Sequence, residues 1–416
     1  MTSPFCDTLR YCSPSHGGWG IVRTAMLVPE SYQLFVCPFA CGRHGALGAM
    51  VQNLKDRLSY LCIDETDIVS GGYEDLIPCA VDDLLEQVHR RPRALFVVVS
   101  CLDDLLCTDH EVFLAEIRRR HPDLKVALGH MNPISMDGML PPAINIQRSM
   151  YSFLEPQGDP LPGTAALYGN NVALDPEGEL FSALSLGGYS EVRHISECQG
   201  YDSFARFARM SLNVVPTPVG LPAARDVQKK LGIPWVFMPI SYDYDEIDGY
   251  YEDLLAPRGE AMDTSLLRVR ASEALSRAAD EVGNLSVIVD GYATIRPFSL
   301  AELLLRHGFS VKTVYAQKCI PLERPAFNRL RENYPRVEVL QPEHPRGPLI
   351  RKTDWPGLAV GFEGAYLTGA IHVVNLMNDE TLYGYHGITK LASMIRQALR
   401  EPTDLQAFIQ AYGIVV

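Results

Sequence analysis

Short apolar runs alternate with longer amphipathic segments along most of the chain. Ten of these runs are predicted strands, because they are apolar almost throughout and rich in β-branched and aromatic residues. They lie at 32–37, 94–101, 125–130, 164–170, 211–216, 235–239, 285–290, 310–316, 336–341 and 370–376. Strands that are apolar on both faces are typical of parallel sheets covered by helices on both sides.

The segments between these strands have the periodicity of amphipathic helices. They cover 73–91, 111–122, 203–212, 222–232, 264–283 and 299–308, and a last helix at 387–401 is expected to return and pack on an earlier domain. The alternation predicts an α/β fold of doubly wound, Rossmann-like domains with parallel sheets. Such sheets bind ligands in the loops beyond the carboxyl ends of their strands.

Two breaks in the pattern predict three domains of similar size. The first break is the Pro- and Gly-rich stretch 155–164, and the second lies near 280–286, after a long helix. The predicted domains are therefore residues 1–160, 161–284 and 285–416.

Composition and charge narrow the classes of function. Of the 416 residues, 47% are hydrophobic and 21% charged, a balance typical of globular proteins. The net charge of −13 argues against nucleic-acid binding, because phosphate recognition needs basic faces. No run approaches the roughly 20 apolar residues of a membrane span, and the first residues lack the pattern of a signal peptide. We therefore expect a cytoplasmic protein that binds neither nucleic acid nor membrane.

The ten cysteines are concentrated near the amino terminus, and chemistry should be sought there. A disulfide framework is not expected in a reducing compartment, and the simplest alternative is that most of these residues are buried as small apolar side chains. Cys62, Cys79, Cys198 and Cys319 fall inside strand or helix patterns and are predicted to serve packing. By contrast, Cys12, Cys41 and Cys101 each lie at a turn or strand end, from which separate loops can bring thiolates to one iron–sulfur cluster.

The stretch "CPFACG" (37–42) illustrates the alternatives. Three residues separate its cysteines, which is a poor match to a redox C-x-x-C pair. A zinc site would need a second close pair, for which "CTDH" (107–110) is a weak candidate. A turn with Gly42 beside a ligand Cys41 would let the backbone approach a bulky cluster. By spacing alone, cluster ligation and plain burial remain equally good interpretations.

Several blocks, in the same order, resemble component 1 of the nitrogenase superfamily. That group includes the molybdenum–iron protein subunits, a cofactor scaffold, and the catalytic subunits of dark-operative protochlorophyllide reductase and of the coenzyme F430 reductive cyclase. The blocks are "YCSPSHGGWGIV" (11–22), "PFACG" (38–42), "ETDIVSGGYEDL" (65–76), "VVVSCLDDLLCTD" (97–109), and longer stretches at 168–195, 208–239 and 289–316. The resemblance extends in outline over nearly the whole chain.

The resemblance implies a site and partners. Carried over by position, the three cluster ligands fall on Cys12, Cys41 and Cys101, with Cys37 as a backup ligand or, more simply, a core thiol. The implied cofactor is an iron–sulfur cluster, 4Fe–4S or P-cluster-like with eight irons, shared at the interface with an identical or homologous subunit in a dimer or tetramer. An ATP-dependent iron-protein reductase would supply electrons, since this chain has no Walker motif.

Two departures from the family argue against dinitrogen as the substrate. Pro216 and Thr217 stand where the family's cysteine ligand to an iron–molybdenum cofactor is expected, and Met377 stands near the place of the histidine ligand. No protein ligand for a cofactor of that kind is identified. The implied activity is a nitrogenase-like oxidoreductase that reduces another substrate, such as a tetrapyrrole, in a central cavity. The alternative is a scaffold subunit for metallocofactor assembly.

His130 is the candidate catalytic proton donor, because a neutral histidine beside a cavity can protonate a reduced substrate. Further polar candidates for the cavity wall are Asn132, Ser135, Asp137, Tyr242, Asp243 and His386. Taken singly, residues of these types more often cap helices or face solvent.

Overall fold

The structure, a computed structural model, describes residues 5, 9–11, 20–51, 53–132, 141–346 and 357–407. The chain divides into two compact units. The first unit comprises Gly17–Ala173 and Tyr189–Pro239, and the second comprises Met1–His16, Leu174–Gly188 and Ile240–Val416.

The first unit contains two four-stranded sheets in which every strand pair is parallel. The strands of sheet 1 are β1 (Ser31–Cys37), β2 (Leu58–Cys62), β3 (Ala94–Ser100) and β4 (Lys125–Met131), in the order β2-β1-β3-β4. The strands of sheet 2 are β5 (Thr164–Leu167), β6 (Glu191–His194), β7 (Leu212–Val215) and β8 (Trp235–Phe237), in the order β6-β5-β7-β8. All seven residues of β3 are buried, which explains its unbroken apolar sequence.

Helices cover both faces of sheet 1. The helices of the first unit are α1 (Gly20–Ala25), α2 (Phe39–Val51), α3 (Glu65–Ser70), α4 (Tyr73–Gln87), α5 (Cys101–Leu106), α6 (His110–Arg120), α7 (Pro142–Ser152), α9 (Tyr201–Ala205) and α10 (Leu221–Leu231). Alternate residues of β1 divide between two cores. Phe35 and Cys37 pack with residues of α1 and α7, whereas Leu34 and Val36 pack with residues of α4 and α6.

The second unit is built on a single five-stranded parallel sheet. Its strands are β9 (Ser286–Asp290), β10 (Ser310–Tyr315), β11 (Glu338–Leu340), β12 (Gly357–Val360) and β13 (His372–Val374), in the order β11-β10-β9-β12-β13. Its helices are α8 (Glu179–Leu186), α11 (Tyr244–Leu255), α12 (Ser265–Val282), α13 (Pro297–Arg306), α14 (Arg324–Asn333), α15 (Phe362–Thr368) and α16 (Gly384–Arg400). The C-terminal helix α16 packs against α12, α8 and the edge strand β13.

The predicted α/β class with parallel sheets is confirmed, and all ten predicted strands are present within a few residues of their expected ends. The hydrophobic pattern did not predict β2, β6 and β12. Each is short, and the first two are half-exposed and partly polar, so their periodicity is weak. The domain boundaries at 160 and 284 stay a prediction. In the part of the chain that the structure describes, no helix has both the length and the apolar character that crossing a membrane requires.

Candidate functional site

The carboxyl edge of sheet 1 brings together four cysteines from four different segments. Cys62 is the last residue of β2, and Cys37 is the last residue of its neighbour β1. Cys101 follows β3 as the first residue of α5, and Cys41 lies in the first turn of α2. Since all strands of the sheet are parallel, these residues share one edge, where α/β proteins place their ligands.

Cys41 and Cys101 are the two predicted cluster ligands that the structure describes, and both stand at the carboxyl edge of sheet 1. Both are half-buried, and burial, followed by the neighbouring Cys101, raises the pKa of Cys41. The third predicted ligand, Cys12, lies outside the described residues, as do Ser135 and Asp137.

The start of α5 is held by a reciprocal capping box. The Ser100 Oγ accepts a hydrogen bond of 3.3 Å from the backbone N–H of Leu102, and an Asp103 carboxylate oxygen accepts one of 3.1 Å from the N–H of Ser100. Asp103 is 1% exposed and also accepts a 3.1 Å hydrogen bond from the Tyr73 hydroxyl. These bonds fix the backbone from which the Cys101 side chain projects.

The turn predicted at 38–42 is wrong, because α2 already begins at Phe39. The glycine at 42 also has a packing reason. A Cβ atom at this position would lie 2.7 Å from Cε1 of Tyr60, on the neighbouring strand β2. Gly42 therefore allows α2 to pack closely on Tyr60 and so positions Cys41.

Cys37 has the environment of a core thiol. It is 1% exposed and packs with Phe35 in the core under α2. Burial, followed by repulsion from Cys41, Cys62 and Asp103, raises its pKa to about 12. Because its side chain is buried in this core, the core role suits Cys37 better than the backup-ligand role.

His130 lies near the end of β4, at the same edge of sheet 1. Its ring meets that of His110 edge to face, with centroids 5.3 Å apart, and its Nδ1 is 3.7 Å from a carboxylate oxygen of Asp104. The Asn132 side chain also donates to Asp104. Burial, followed by the neighbouring His130, lowers the pKa of His110, whose buried Nε2 has no hydrogen-bond partner. The sequence pointed to His110 only weakly, through the "CTDH" segment.

In the second unit, two predicted cavity residues have structural roles. The Tyr242 hydroxyl is buried and donates a 2.5 Å hydrogen bond to Asp379. Asp243 is the N-cap of α11 and accepts a 3.0 Å hydrogen bond from the N–H of Asp245. Both polar groups are thus satisfied within the fold.

His386 belongs to a charged cluster in the second unit. Its Nε2 lies 3.0 Å from an oxygen of Asp175, which also accepts a 2.9 Å bond from the ammonium of Lys390. Asp175, Glu177 and His386 form the one group among the described residues whose three ligand atoms could hold a single ion. The Lys390 ammonium also forms an ion pair with Asp175. Among the described residues, neither Cys107 nor His110 belongs to a group of this kind.

The two positions that depart from the family are also occupied by structural side chains. Thr217 is 8% exposed and caps a short helical turn through a 3.4 Å bond from the N–H of Val219. The Met377 sulfur accepts a 3.0 Å hydrogen bond from the Tyr292 hydroxyl. The side chains of Thr217 and Met377, predicted to stand at the cofactor-ligand positions, are thus engaged with their own surroundings.

The fold is of the α/β class, with parallel doubly wound sheets and four cysteines at one carboxyl edge. Comparison with known families makes the assignment specific. The family model for nitrogenase component 1 type oxidoreductases matches residues 19–334, about three quarters of the chain. The chain therefore belongs to the nitrogenase component 1 type oxidoreductase family.

Solved structures show the same fold at low sequence identity. A structure described as nitrogenase Cp1 at pH 6.5 matches with a TM-score of 0.69 and 15% identity, covering 97% of this chain and 96% of the other. A second, nitrogenase Cp1 at pH 5, matches with a TM-score of 0.61 and 13% identity, covering 96% and 90%. No curated protein matches the sequence.

Proposed function

We propose that this chain is the catalytic component of a two-component reductase, which takes electrons from an ATP-dependent iron-protein partner through an iron–sulfur cluster. The observation that supports the proposal is that Cys41 and Cys101, from separate segments, both stand at the carboxyl edge of sheet 1. Thiolates from separate loops are the donors that the irons of such clusters take. The described thiols therefore fit the cofactor, and Cys12 is the third ligand by family position.

A bound cluster would supply one-electron transfer, and the task of the chain is to hold it in a fixed place. The Cys101 backbone is fixed by the Ser100–Asp103 capping box, and the Cys41 backbone by the packing of Gly42 on Tyr60. Both helices begin directly after buried strands of sheet 1. Thiols on such rigid supports need little reorganisation when they bind metal.

Exposed apolar side chains next to the thiols support a second subunit at this edge. Phe39, two residues before Cys41, is 85% exposed, and Leu105, on the helix that Cys101 begins, is 68% exposed. Large apolar side chains that remain in solvent together mark interaction surfaces. A dimer or tetramer of identical or homologous subunits would cover them and share the cluster.

We further propose that the substrate is not dinitrogen and that His130 is its proton donor. The replacement of both cofactor-ligand positions by Thr217 and Met377 supports the first point. The second rests on the place of His130 at the cysteine-bearing edge, beside Asp104 and His110. A carboxylate near an imidazole orients the ring.

Iron and acid-labile sulfide per chain are measured on anaerobically purified protein to test the proposal. Low-temperature EPR spectra are recorded on the same samples. The variants are Cys41→Ala and Cys101→Ala, with Cys79→Ala as the control, because Cys79 is an exposed cysteine on α4. About two irons per chain would indicate a four-iron cluster shared by two chains, and about four would indicate an eight-iron centre. Both site variants should lose this iron, and the control should keep it.

An iron-free wild-type protein, prepared anaerobically, would refute the proposal. Iron clearly above four per chain, transferable to an acceptor protein, would instead favour the scaffold in metallocofactor assembly.

A further inference from the structure

Cys62 stands out among the cysteines that the pattern assigned to packing. It is the last residue of β2, it forms no disulfide, and it is exposed. Its register partner on β1 is Cys37. The exposure disagrees with the packing role predicted for Cys62 and leaves its thiol accessible at the cysteine-bearing edge.

The Cys62 side chain lies on the face of sheet 1 that α2 covers. Side chains alternate along a strand, so Cys62 shares its face with Tyr60 and Leu58. Leu58 and Tyr60 both pack in the core on that side, and the Tyr60 ring lies against Gly42 of α2. Cys41 immediately precedes Gly42, so Cys62 and Cys41 lie on the same side of the sheet.

The register places Cys62 level with the start of α5. Cys37 pairs with Cys62, and Val36 pairs with Val99, so Cys62, Cys37 and Ser100 lie in one row across three strands. Neighbouring strands are about 4.8 Å apart, which separates the backbones at Cys62 and Ser100 by roughly 10 Å. Cys101 follows Ser100 directly.

Cys37 is the register partner of Cys62, but its own side chain is 1% exposed and packs in the core. Among the described residues at this edge, the thiols that can reach outward are those of Cys41, Cys62 and Cys101.

We propose that Cys62 is a ligand of the iron–sulfur cluster, together with Cys41 and Cys101. The inference rests on the proposed function and adds a thiolate at a position that the family pattern does not mark. Thiolates that bind different irons are separated by the cluster itself. Thiols from two strands with a third strand between them therefore suit a cluster better than thiols from neighbouring strands. On binding, the Cys62 sulfur forms a bond to iron and releases its proton to solvent.

The test uses the full chain, purified anaerobically, as wild type, Cys62→Ala and Cys79→Ala. Cys79 is the matched control because it is also an exposed cysteine, on α4. Iron and sulfide per chain and the EPR spectrum are measured on each protein. Iodoacetamide labelling of Cys62 and Cys79, read by peptide mass spectrometry, is compared between iron-loaded and chelator-treated wild type.

We expect Cys62→Ala to lose about half of the bound iron or more and to change the EPR signal, while Cys79→Ala matches wild type. Cys62 should be protected from iodoacetamide only in the loaded protein, and Cys79 should be labelled in both forms. Unchanged iron, unchanged EPR and equal labelling of Cys62 in both forms would overturn the inference and leave the proposed function standing. A disulfide to Cys37 in the loaded protein would overturn it equally. A wild type without iron would overturn both proposals.

Discussion

Replacing Gly42 by alanine tests whether close packing of α2 on β2 positions the Cys41 thiol. The new Cβ would lie 2.7 Å from Cε1 and 2.8 Å from Cδ1 of the Tyr60 ring. These distances are well inside van der Waals contact, so either the ring or the start of α2 must move. Tyr60 has little room, since its ring already packs on Phe35 with centroids 5.7 Å apart.

The expected cost follows from two opposing effects. Overpacking of a core contact destabilises by about 1–3 kcal/mol, whereas alanine in place of glycine inside a helix stabilises by roughly 0.5–1 kcal/mol. We expect Gly42→Ala to lower the free energy of unfolding by about 1–2 kcal/mol. In a unit of roughly 200 residues, each kcal/mol lowers the unfolding temperature by about 2–4 °C.

Gly48→Ala, in the same helix, is the matched control. Its Cβ would lie 3.5 Å from Cβ of Val22, an ordinary contact, so only the helix-propensity gain remains. This variant should unfold at or slightly above the wild-type temperature. Both variants are compared with wild type by circular dichroism on iron-free protein, so that metal binding does not contribute to stability.

The double variant Gly42→Ala/Tyr60→Ala separates the contact with Tyr60 from any other effect. Without the ring, Gly42→Ala should cost nothing or stabilise slightly. If Gly42→Ala unfolds no lower than wild type, or costs the same with and without the Tyr60 ring, the packing argument is refuted. If the argument holds, Gly42→Ala should also retain less iron than Gly48→Ala, because the displaced helix carries Cys41.

Three further predictions concern buried and charged groups elsewhere. His194 is 1% exposed, and burial lowers its pKa to about 4, so the unfolded chain binds the extra proton more tightly. In wild type, the free energy of unfolding measured with urea should fall by up to roughly 3 kcal/mol as the pH drops from 6.5 toward 4. In His194→Gln this fall should be absent. Arg296 and Glu323 form a buried ion pair of 2.7 Å. Arg296→Met alone should lower the free energy of unfolding, measured with urea, by about 3–5 kcal/mol, because it leaves a buried charge unpaired. The double variant Arg296→Met/Glu323→Leu should lower it much less. Hydrogen bonds from Lys390 and His386 hold the pKa of Asp175 well below its usual range. The ionised Asp175 therefore stabilises the fold above pH ~4, and this contribution is lost in acid. Lys390→Met should therefore move acid unfolding, followed by fluorescence, to higher pH.

Each of these three predictions has a result that would contradict it. Equal pH dependence in wild type and His194→Gln would show that His194 titrates normally in the folded chain. Additive costs for the two substitutions of the Arg296–Glu323 pair would show that the charges do not stabilise one another. An unchanged acid midpoint in Lys390→Met would show that the ammonium does not act on Asp175.

The hydrophobic pattern predicts the class of fold and part of the candidate site, because both depend on local sequence. Unbroken apolar runs such as 94–100 identify buried parallel strands, and the residue that follows such a strand falls at the ligand-binding edge whatever the rest of the chain does. Cys101 could therefore be placed from its neighbours alone. Cys41 could be placed near the same edge for the same reason, although the predicted turn proved to be a helix.

What the sequence by itself determined is the class of fold, the family, and the strand ends at which its thiols stand. Which thiols face each other was decided only by the tertiary structure, because strand order and register are not written in any local pattern. The pairing of β1 with β2 sets Cys62 beside Cys37, and the contact between α2 and Tyr60 shows which cysteine is buried and which is free to bind. The same holds for His110 and His130, whose rings meet only because the segment after β3 folds beside β4.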